Sequence, residues 1–133
     1  MSNRIVKTIL SDGPTKATVS FYFESDGVEG ELTNYVLIDP AVDFSTMPSK
    51  LTVRQVWYGF SWFDGLLTFD DLSPYPSWML TRDSGGYYDF RYFGGIVDRS
   101  GIDRSGKLFF TTNGFAPAGS IGTLVIEILK ESN

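Results

Sequence analysis

The stretch Ser120–Lys130, SIGTLVIEILK, says more about the fold than any other part of the sequence. Aliphatic side chains occur in both of its alternating sets: Leu124, Ile126 and Ile128 in one, Val125 and Leu129 in the other. Successive side chains of a β-strand point to opposite faces of its sheet. We therefore expect a strand in the middle of the fold that is covered on both faces, by the protein or at an interface. The run is too short to span a bilayer, which takes about 20 apolar residues.

Outward from this stretch, Ala17–Glu24 has the clearest strand pattern, with apolar and polar residues in strict alternation. Such alternation is typical of an antiparallel strand that is buried on one face. Shorter runs rich in β-forming residues predict further strands at Arg4–Leu10, Asn34–Ile38, Lys50–Phe60, Leu66–Phe69, Trp78–Leu80 and Leu108–Thr111, together with an aromatic run at Tyr87–Phe93. Asp64-Gly65 predicts a tight hairpin turn between Lys50–Phe60 and Leu66–Phe69. Ala41–Ser49 is expected to be irregular.

No apolar period of 3.6 residues is sustained over ten residues, so we expect little helix. Eight or nine short strands separated by turn residues predict an all-β fold, an antiparallel β-sandwich. Among such folds, longish connections favour a jelly-roll-like sandwich over an up-and-down barrel. The length of 133 residues predicts a single domain, 1–133.

Composition excludes several kinds of chemistry. The chain has no cysteine and no histidine, so it can form no disulfide or thiolate metal site, and it lacks the usual zinc ligands and the commonest general base. The net charge of −5, with scattered basic residues, argues against nucleic acid as a partner. The start of the chain shows no secretory signal pattern. We expect a soluble protein made in a reducing cytoplasm, without contact with a membrane.

Acidic residues offer the remaining routes to catalysis or metal binding. Asp64, Asp70 and Asp71 are close enough in sequence to suggest a glycosidase pair, but solvated loop acids and an Asp-Gly turn are the simpler explanation. The tandem DRSG repeat at 98–101 and 103–106 suggests either two successive turns or a calcium site with oxygen ligands from Asp98, Ser100, Asp103 and Ser105. The repeat also holds Arg99 and Arg104, which would compete for the carboxylates. No serine has a histidine partner, and we expect no enzymatic activity, no cofactor and no metal.

Aromatic side chains are abundant and could form a binding face. Stacking on sugar rings is one possible role for Trp57, Trp62, Trp78, Tyr87 and Tyr88. For Trp57 and Trp78, a place in the core or at a subunit contact is the competing interpretation. Trp62-Phe63, beside the predicted Asp64-Gly65 turn, is expected to be exposed at a hairpin tip, and exposed aromatic pairs of this kind are interaction features.

Several segments of the chain resemble one family of virion proteins: VKTILSDGPTKATVSFYFESDG, LTVRQVWYGFSWFDGLLTFDD, YYDFRYFGGI and LFFTTNGFAPAGSIGTLVIEILK. The chain is similar to the jelly-roll capsid decoration, or cement, proteins of tailed bacteriophages. The resemblance implies a homo-oligomer, a dimer or trimer, that binds the major capsid protein on the outer surface of the capsid and stabilises contacts between capsomers in the virion. It supplies no functional residues position by position.

Interface residues are therefore inferred from residue type, because exposed aromatic and arginine side chains concentrate binding energy. We predict that the contact with capsid protein or between protomers uses Trp62, Phe63, Tyr87, Tyr88, Arg91, Tyr92 and Arg99. The rival function is a carbohydrate- or receptor-binding β-sandwich module, either a tail-fibre tip or a lectin-like domain, that uses Trp62 and nearby acids.

Overall fold

Antiparallel strands make up almost all of the regular structure in the computed structural model, which describes residues 3–33, 35–44, 50–61, 63–69, 75–80, 86–93, 95–97 and 107–131. In chain order, the strands are β1 (Arg4–Asp12), β2 (Lys16–Glu24), β3 (Tyr35–Ile38), β4 (Lys50–Phe60), β5 (Asp64–Phe69), β6 (Tyr75–Leu80), β7 (Gly86–Asp89), β8 (Ile96–Val97), β9 (Leu108–Asn113) and β10 (Ile121–Glu131). A short helix, α1 (Pro40–Asp43), follows β3, and a 3₁₀ turn at Arg91–Phe93 follows β7. The predicted all-β class, with little helix, is confirmed.

The strands form two antiparallel sheets. The larger sheet has the order β1-β2-β10-β4-β7, with β8 pairing on β4, and the smaller has the order β3-β9-β5-β6. Few of these pairs join strands that are consecutive in the chain, because β10 comes back to lie between β2 and β4. The predicted β-sandwich is thus confirmed, and its connections are mostly long-range.

Strand β10 occupies the position expected for the central strand, but only one of its faces is covered. Leu124, Ile126 and Ile128 are completely buried against the smaller sheet, whereas Val125 and Leu129 on the outer face are partly accessible. Cover from within the chain is therefore incomplete on the outer face, and cover of that face at an interface stays a prediction. Neighbouring strands shield these two side chains laterally, which explains their partial burial.

The core between the sheets is built largely from phenylalanines. Phe23 of β2 stacks on Phe110 of β9 with ring centroids 5.1 Å apart, which ties one sheet to the other. Phe21 is 1% exposed, so the predicted facing of β2 is confirmed. Each such ring contributes roughly 1.5–3 kcal/mol relative to an exposed one, and this packing places the remaining aromatic side chains on the outside.

The predicted hairpin at Asp64-Gly65 does not form. Both residues lie inside β5, and β4 and β5 belong to different sheets, so the chain passes from one sheet to the other between Phe60 and Asp64. Gly65 is required by packing, since a Cβ there would lie 2.3 Å from Cε1 of Phe110. A glycine that allows a ring to approach the backbone gives the same sequence signal as a turn glycine.

The crossing also overturns the prediction that Phe63 is exposed at a tip. Phe63 is completely buried, and its ring lies 4.5 Å from that of Phe60 and 4.9 Å from that of Phe115 between centroids. A chain that passes from one sheet to the other must pass the end of the core. The aromatic residue at this point closes that end.

Helix α1 departs from the expectation that Ala41–Ser49 is irregular. Asp39 caps the helix, accepting a 3.0 Å hydrogen bond from the backbone N–H of Ala41, and Pro40 occupies the first turn, where a missing N–H costs nothing. Asp43 of the helix pairs with Lys7 of β1. Residues 45–49 lie outside the described residues.

Candidate binding surfaces

The interface residues predicted from the sequence lie in different environments, or outside the described residues. Trp62 and Arg99 lie outside the described residues, and Phe63 is in the core. Tyr88 is half-buried and faces the core, where its ring stacks on those of Tyr58 and Phe90 at 5.9 Å and 5.8 Å between centroids. Its expected exposure is wrong, because alternation along β7 turns Tyr88 inward when Tyr87 points outward.

Tyr87 takes part in an aromatic pair on the outer face of the larger sheet. It lies directly opposite Trp57 of β4, and the two rings stack with centroids 5.3 Å apart. Trp57 is 38% exposed and Tyr87 is 49% exposed. Trp57 thus lies neither in the core nor buried within the chain, and the pair forms a wall of exposed aromatic surface near the β7 edge.

Hydrogen bonds hold this pair in place. The Tyr87 hydroxyl donates to Oε1 of Gln55, and Nε2 of Gln55 donates to Oε1 of Glu127 at 2.9 Å. Nε of Arg54 lies 4.0 Å from the same glutamate oxygen. Gln55 is only 8% exposed, so the network is anchored on a buried side chain and is shielded from competing water.

Asp89 and Arg91 form a bidentate pair beside the rings. Nε and Nη2 of Arg91 each donate to a different carboxylate oxygen of Asp89 at 2.9 Å, and the Arg91 backbone N–H donates to Oδ1 at 3.0 Å. These hydrogen bonds lower the pKa of Asp89 from 3.8 to about 2 and raise the pKa of Arg91. Desolvation, followed by the nearby Asp89 charge, raises the pKa of Tyr87. At neutral pH the pair is therefore ionised and internally neutralised.

Tyr92 lies beside Arg91 in the turn that follows β7. Its side chain is 93% exposed in the 3₁₀ turn, and with Asp89 and Arg91 it lines an open depression of about 370 Å³. We call the group formed by Trp57, Tyr87, Asp89, Arg91 and Tyr92 the aromatic platform. Three of the predicted interface residues, Tyr87, Arg91 and Tyr92, come together here.

A second surface consists of aliphatic side chains at the opposite edge of the sandwich. Six of the ten large apolar side chains that are exposed among the described residues lie on β1, on β3 or beside them: Val6, Ile9, Leu10, Val28, Val36 and Val42. Val28 and Val42 are the most exposed of the six, at 76% and 77%. We call this set the aliphatic edge. Val6 lies opposite Tyr22 and Ile9 lies opposite the buried Val19, so the exposed apolar side chains of β1 point to both faces of the strand. Clustered exposed apolar side chains are candidates for an interaction.

A groove of about 450 Å³ runs along the aliphatic edge between β1 and β3. It is lined by Asn3, Ile5, Glu29, Glu31, Leu32, Thr33 and Tyr35. Burial raises the pKa of Tyr35. The Glu31 carboxylate accepts hydrogen bonds from the Thr112 hydroxyl at 2.9 Å and from the backbone N–H groups of Phe115 at 2.9 Å and Ala116 at 2.6 Å. Glu31 therefore belongs to the wall of the groove and is not poised as a reactive group.

The acidic residues considered for chemistry are dispersed or undescribed. Asp64 begins β5 opposite Asn113, whereas Asp70 and Asp71 lie outside the described residues, as do Asp98, Ser100, Asp103 and Ser105. Within the described ranges, no group of three or more acidic side chains could hold a metal ion. In the same part of the chain, no helix is long and apolar enough to cross a bilayer.

The sequence interpretation missed the aliphatic edge altogether. Its one signal was the loose pattern of β1, where Ile5 and Ile9 alternate with Val6 and Leu10, so that both faces of the strand are apolar. Val28, Val36 and Val42 are isolated in sequence, and only folding brings the elements that carry them beside β1 or β3. Trp57 was named as a sugar-stacking candidate, but its partner Tyr87 comes 30 residues later, which no local pattern can show.

Comparison with protein-family models, with curated proteins and with solved structures finds no match to this chain. The binding surfaces described above therefore rest on the residues and geometry of this chain alone.

Proposed function

We propose that this chain is a non-enzymatic structural protein of a virion, a capsid decoration protein that binds the outer surface of the shell formed by the major capsid protein and stabilises contacts between capsomers. The sequence resemblance to phage decoration proteins supports the proposal. The observation that carries it is the aliphatic edge, a set of six exposed aliphatic side chains at one edge of an otherwise well-packed sandwich. A protein that acts by attachment needs such a surface and a rigid body behind it.

The proposal includes a jelly-roll arrangement of the sandwich, and the strand pairing supports it. The antiparallel pairs are nested: β2 with β10, β3 with β9, β4 with β7, and β5 with β6. Alternate pairs fall in opposite sheets, with β1 added at one edge. A double-sheet arrangement of eight strands is typical of jelly rolls in virion proteins.

The form of β1 supports contact through side chains rather than through strand addition. An edge strand exposes unpaired backbone groups, and proteins block unwanted pairing with bulges and inward-pointing charges. Strand β1 has both devices. Its pairing with β2 shifts between Ile9 and Ser11, and Lys7, opposite the core residue Phe21, pairs with Asp43. A capsid partner would therefore pack on the aliphatic side chains.

The experiment is co-sedimentation of the protein with purified empty shells of its own virus. The wild type should saturate the shells at a fixed ratio to capsid subunits. A variant carrying Val6→Ser, Leu10→Ser and Val42→Ser should lose at least tenfold in affinity, because the shell contact would lose its apolar surface. Its melting temperature should stay close to that of the wild type, since all three side chains are exposed.

Ile121→Ser provides the matched control, because Ile121 is 42% exposed but lies on β10, away from the aliphatic edge. This variant should bind shells as the wild type does. Absence of saturable binding at any salt concentration would rule out decoration. Light scattering at micromolar concentration gives the oligomeric state, for which the proposal expects a dimer or trimer.

A further inference from the structure

The aromatic platform lies at the other end of the larger sheet from the aliphatic edge. The strand order places β1 at one edge and β7 at the other, with three strands between them. Shell binding through the aliphatic edge would leave the platform uncovered. Shell binding through the aliphatic edge makes no use of the platform, although its two partly exposed rings are stacked and the Tyr87 hydroxyl is fixed by a hydrogen bond.

Among the described residues, little covers the sheet surface next to the ring pair. Gly59 follows Trp57 on the outer face of β4, and of the described atoms a Cβ added there would meet only Oγ1 of Thr123, at 3.9 Å. A glycine within a strand weakens the strand unless close approach to its backbone serves a purpose. Here it leaves an open floor beside the Trp57 ring. The floor is bordered by the short side chains Thr123 and Val125, which lie opposite Gly59 and Trp57 on β10.

The polar groups beside the rings are placed to form hydrogen bonds with the hydroxyl groups of a ligand. Asp89 and Arg91 offer carboxylate acceptors and guanidinium donors at the mouth of the 370 Å³ depression, with Tyr92 on its other side. Gln55 accepts the hydrogen bond from the Tyr87 hydroxyl and itself donates to Glu127, which fixes the hydroxyl in position. An aromatic surface with a few fixed polar groups is the usual composition of a small-molecule site, and the volume falls within the usual range of roughly 300–1,000 Å³.

The ionised Asp89–Arg91 pair argues against an anionic ligand and against a purely apolar ligand. Arg91 makes a bidentate pair with Asp89, so its charge is already neutralised and a phosphate or sulfate group would meet the Asp89 carboxylate beside it. The remaining guanidinium N–H groups can still donate to a hydroxyl group. A purely apolar ligand would leave the ionised pair against a surface that offers it no hydrogen bonds. The ligand that fits is neutral, has one apolar face, and carries hydroxyl groups around its edge.

We propose that the aromatic platform binds a neutral saccharide. One pyranose ring would lie with its C–H face against the free surface of Trp57 over Gly59, because the face of an aromatic ring is electron-rich and attracts C–H groups. The neighbouring ring would reach the depression, where its hydroxyls donate to Asp89 and accept from Arg91. This inference stands apart from shell binding, since it uses different residues at the opposite edge.

The test uses the full chain on an array of neutral and acidic glycans, followed by NMR titration of ¹⁵N-labelled protein with cellohexaose and maltohexaose. A neutral glycan should bind with a Kd between about 10 μM and 1 mM, the range of modest affinities. The Gly59 backbone N–H and Trp57 indole N–H signals should shift. Trp57→Ala and Gly59→Thr should each weaken binding at least tenfold, the second by filling the floor while keeping both rings.

One control separates this outcome from other causes. The Val6, Leu10 and Val42 serine variant should lose shell binding and keep glycan binding, which distinguishes failure of one proposal from failure of the other. Absence of any neutral glycan bound below 1 mM, binding of acidic glycans only, or undiminished binding by both Trp57→Ala and Gly59→Thr would overturn the inference.

Discussion

The ammonium group of Lys130, in the last strand, donates a hydrogen bond to the carboxylate of Asp12, at the end of the first strand. The Lys130 side chain is only 2% exposed, while that of Asp12 is 26% exposed. Nζ of Lys130 also donates to the Gly13 carbonyl at 2.6 Å and lies 4.6 Å from the centre of the Phe44 ring. One buried cation thus joins two strands that are separated by the whole length of the chain.

The unequal burial of this pair predicts unequal effects of mutation. Asp12→Asn leaves a buried ammonium without its counter-charge and should destabilise the protein by about 2–3 kcal/mol. Lys130→Met keeps the packing on Phe44 and leaves a carboxylate that water can reach, so its cost should be smaller. Urea unfolding of both variants measures the difference. Equal losses of unfolding free energy in the two variants would show that Asp12 and Lys130 contribute only through their attraction to each other.

Glu31 predicts a stability component that depends on pH. Burial acts to raise the pKa of Glu31, but hydrogen bonds from Phe115, Thr112 and Ala116 together outweigh it, so the net pKa is lowered from 4.5. A lowered folded-state pKa stabilises the protein above pH 4.5, and this stabilisation is lost as pH falls through the folded pKa. Glu31→Gln should cost about 1–2 kcal/mol at pH 7, because an amide cannot accept all three bonds.

The measurement is urea unfolding of wild type and Glu31→Gln between pH 7 and pH 3. The stability gap between the two proteins should narrow as the medium becomes acidic, because protonation removes the same acceptors from the wild type. A gap that is constant across the whole range would show that the carboxylate charge contributes nothing.

Two glycines on adjacent strands predict opposite effects of the same substitution. A Cβ at Gly122 would lie 2.7 Å from ring atoms of both Phe60 and Phe63, whereas at Gly59 the nearest atom of the described residues is 3.9 Å away. Gly122→Ala should therefore overpack the core and cost about 1–3 kcal/mol. Gly59→Ala should be neutral or should stabilise the strand by up to ~1 kcal/mol. Melting temperatures compare the two directly, and a reversed order would contradict the placement of Phe63 in the core.

The Asp89–Arg91 pair predicts an abnormal acid titration. The carboxyl group of Asp89 should titrate with a pKa of about 2, because the Arg91 guanidinium and backbone N–H donate to its ionised form. Stabilisation from this pair is present above pH 3.8 and is lost as pH falls towards 2. In Arg91→Gln the pKa should move up towards 3.8. Carboxyl ¹³C NMR follows the titration, and a pKa near 3.8 in the wild type would show that the pair does not persist in solution.

Phe21→Asp tests the core itself. Phe21 is 1% exposed and stacks beside Phe23, with ring centroids 6.1 Å apart. A carboxylate at this position would be buried without a partner, so the variant should fail to fold. Circular dichroism and solubility report the outcome, and a soluble variant with an unchanged melting temperature would contradict the facing of β2.

Prediction from the sequence succeeded where the evidence was local and repeated. Ala17–Glu24 alternates over eight residues, and its inward set is completely buried or nearly so, as expected. The interpretation failed at Asp64-Gly65 and Phe63, where a glycine that serves packing looks like a turn glycine and an aromatic residue near it looks exposed. The sequence indicated three residues of the aromatic platform, Tyr87, Arg91 and Tyr92, and offered Trp57 as a candidate. It did not indicate that the rings of Trp57 and Tyr87 stack on each other.

The sequence by itself determined the β class, the positions of most strands and the inward face of β2, because side-chain alternation is a property of neighbouring residues. Only the tertiary structure decided which strands pair, which face of β10 is left uncovered, and which scattered side chains form the aliphatic edge and the aromatic platform. Those features depend on contacts between residues far apart in the chain, and a local pattern carries no information about its distant partner.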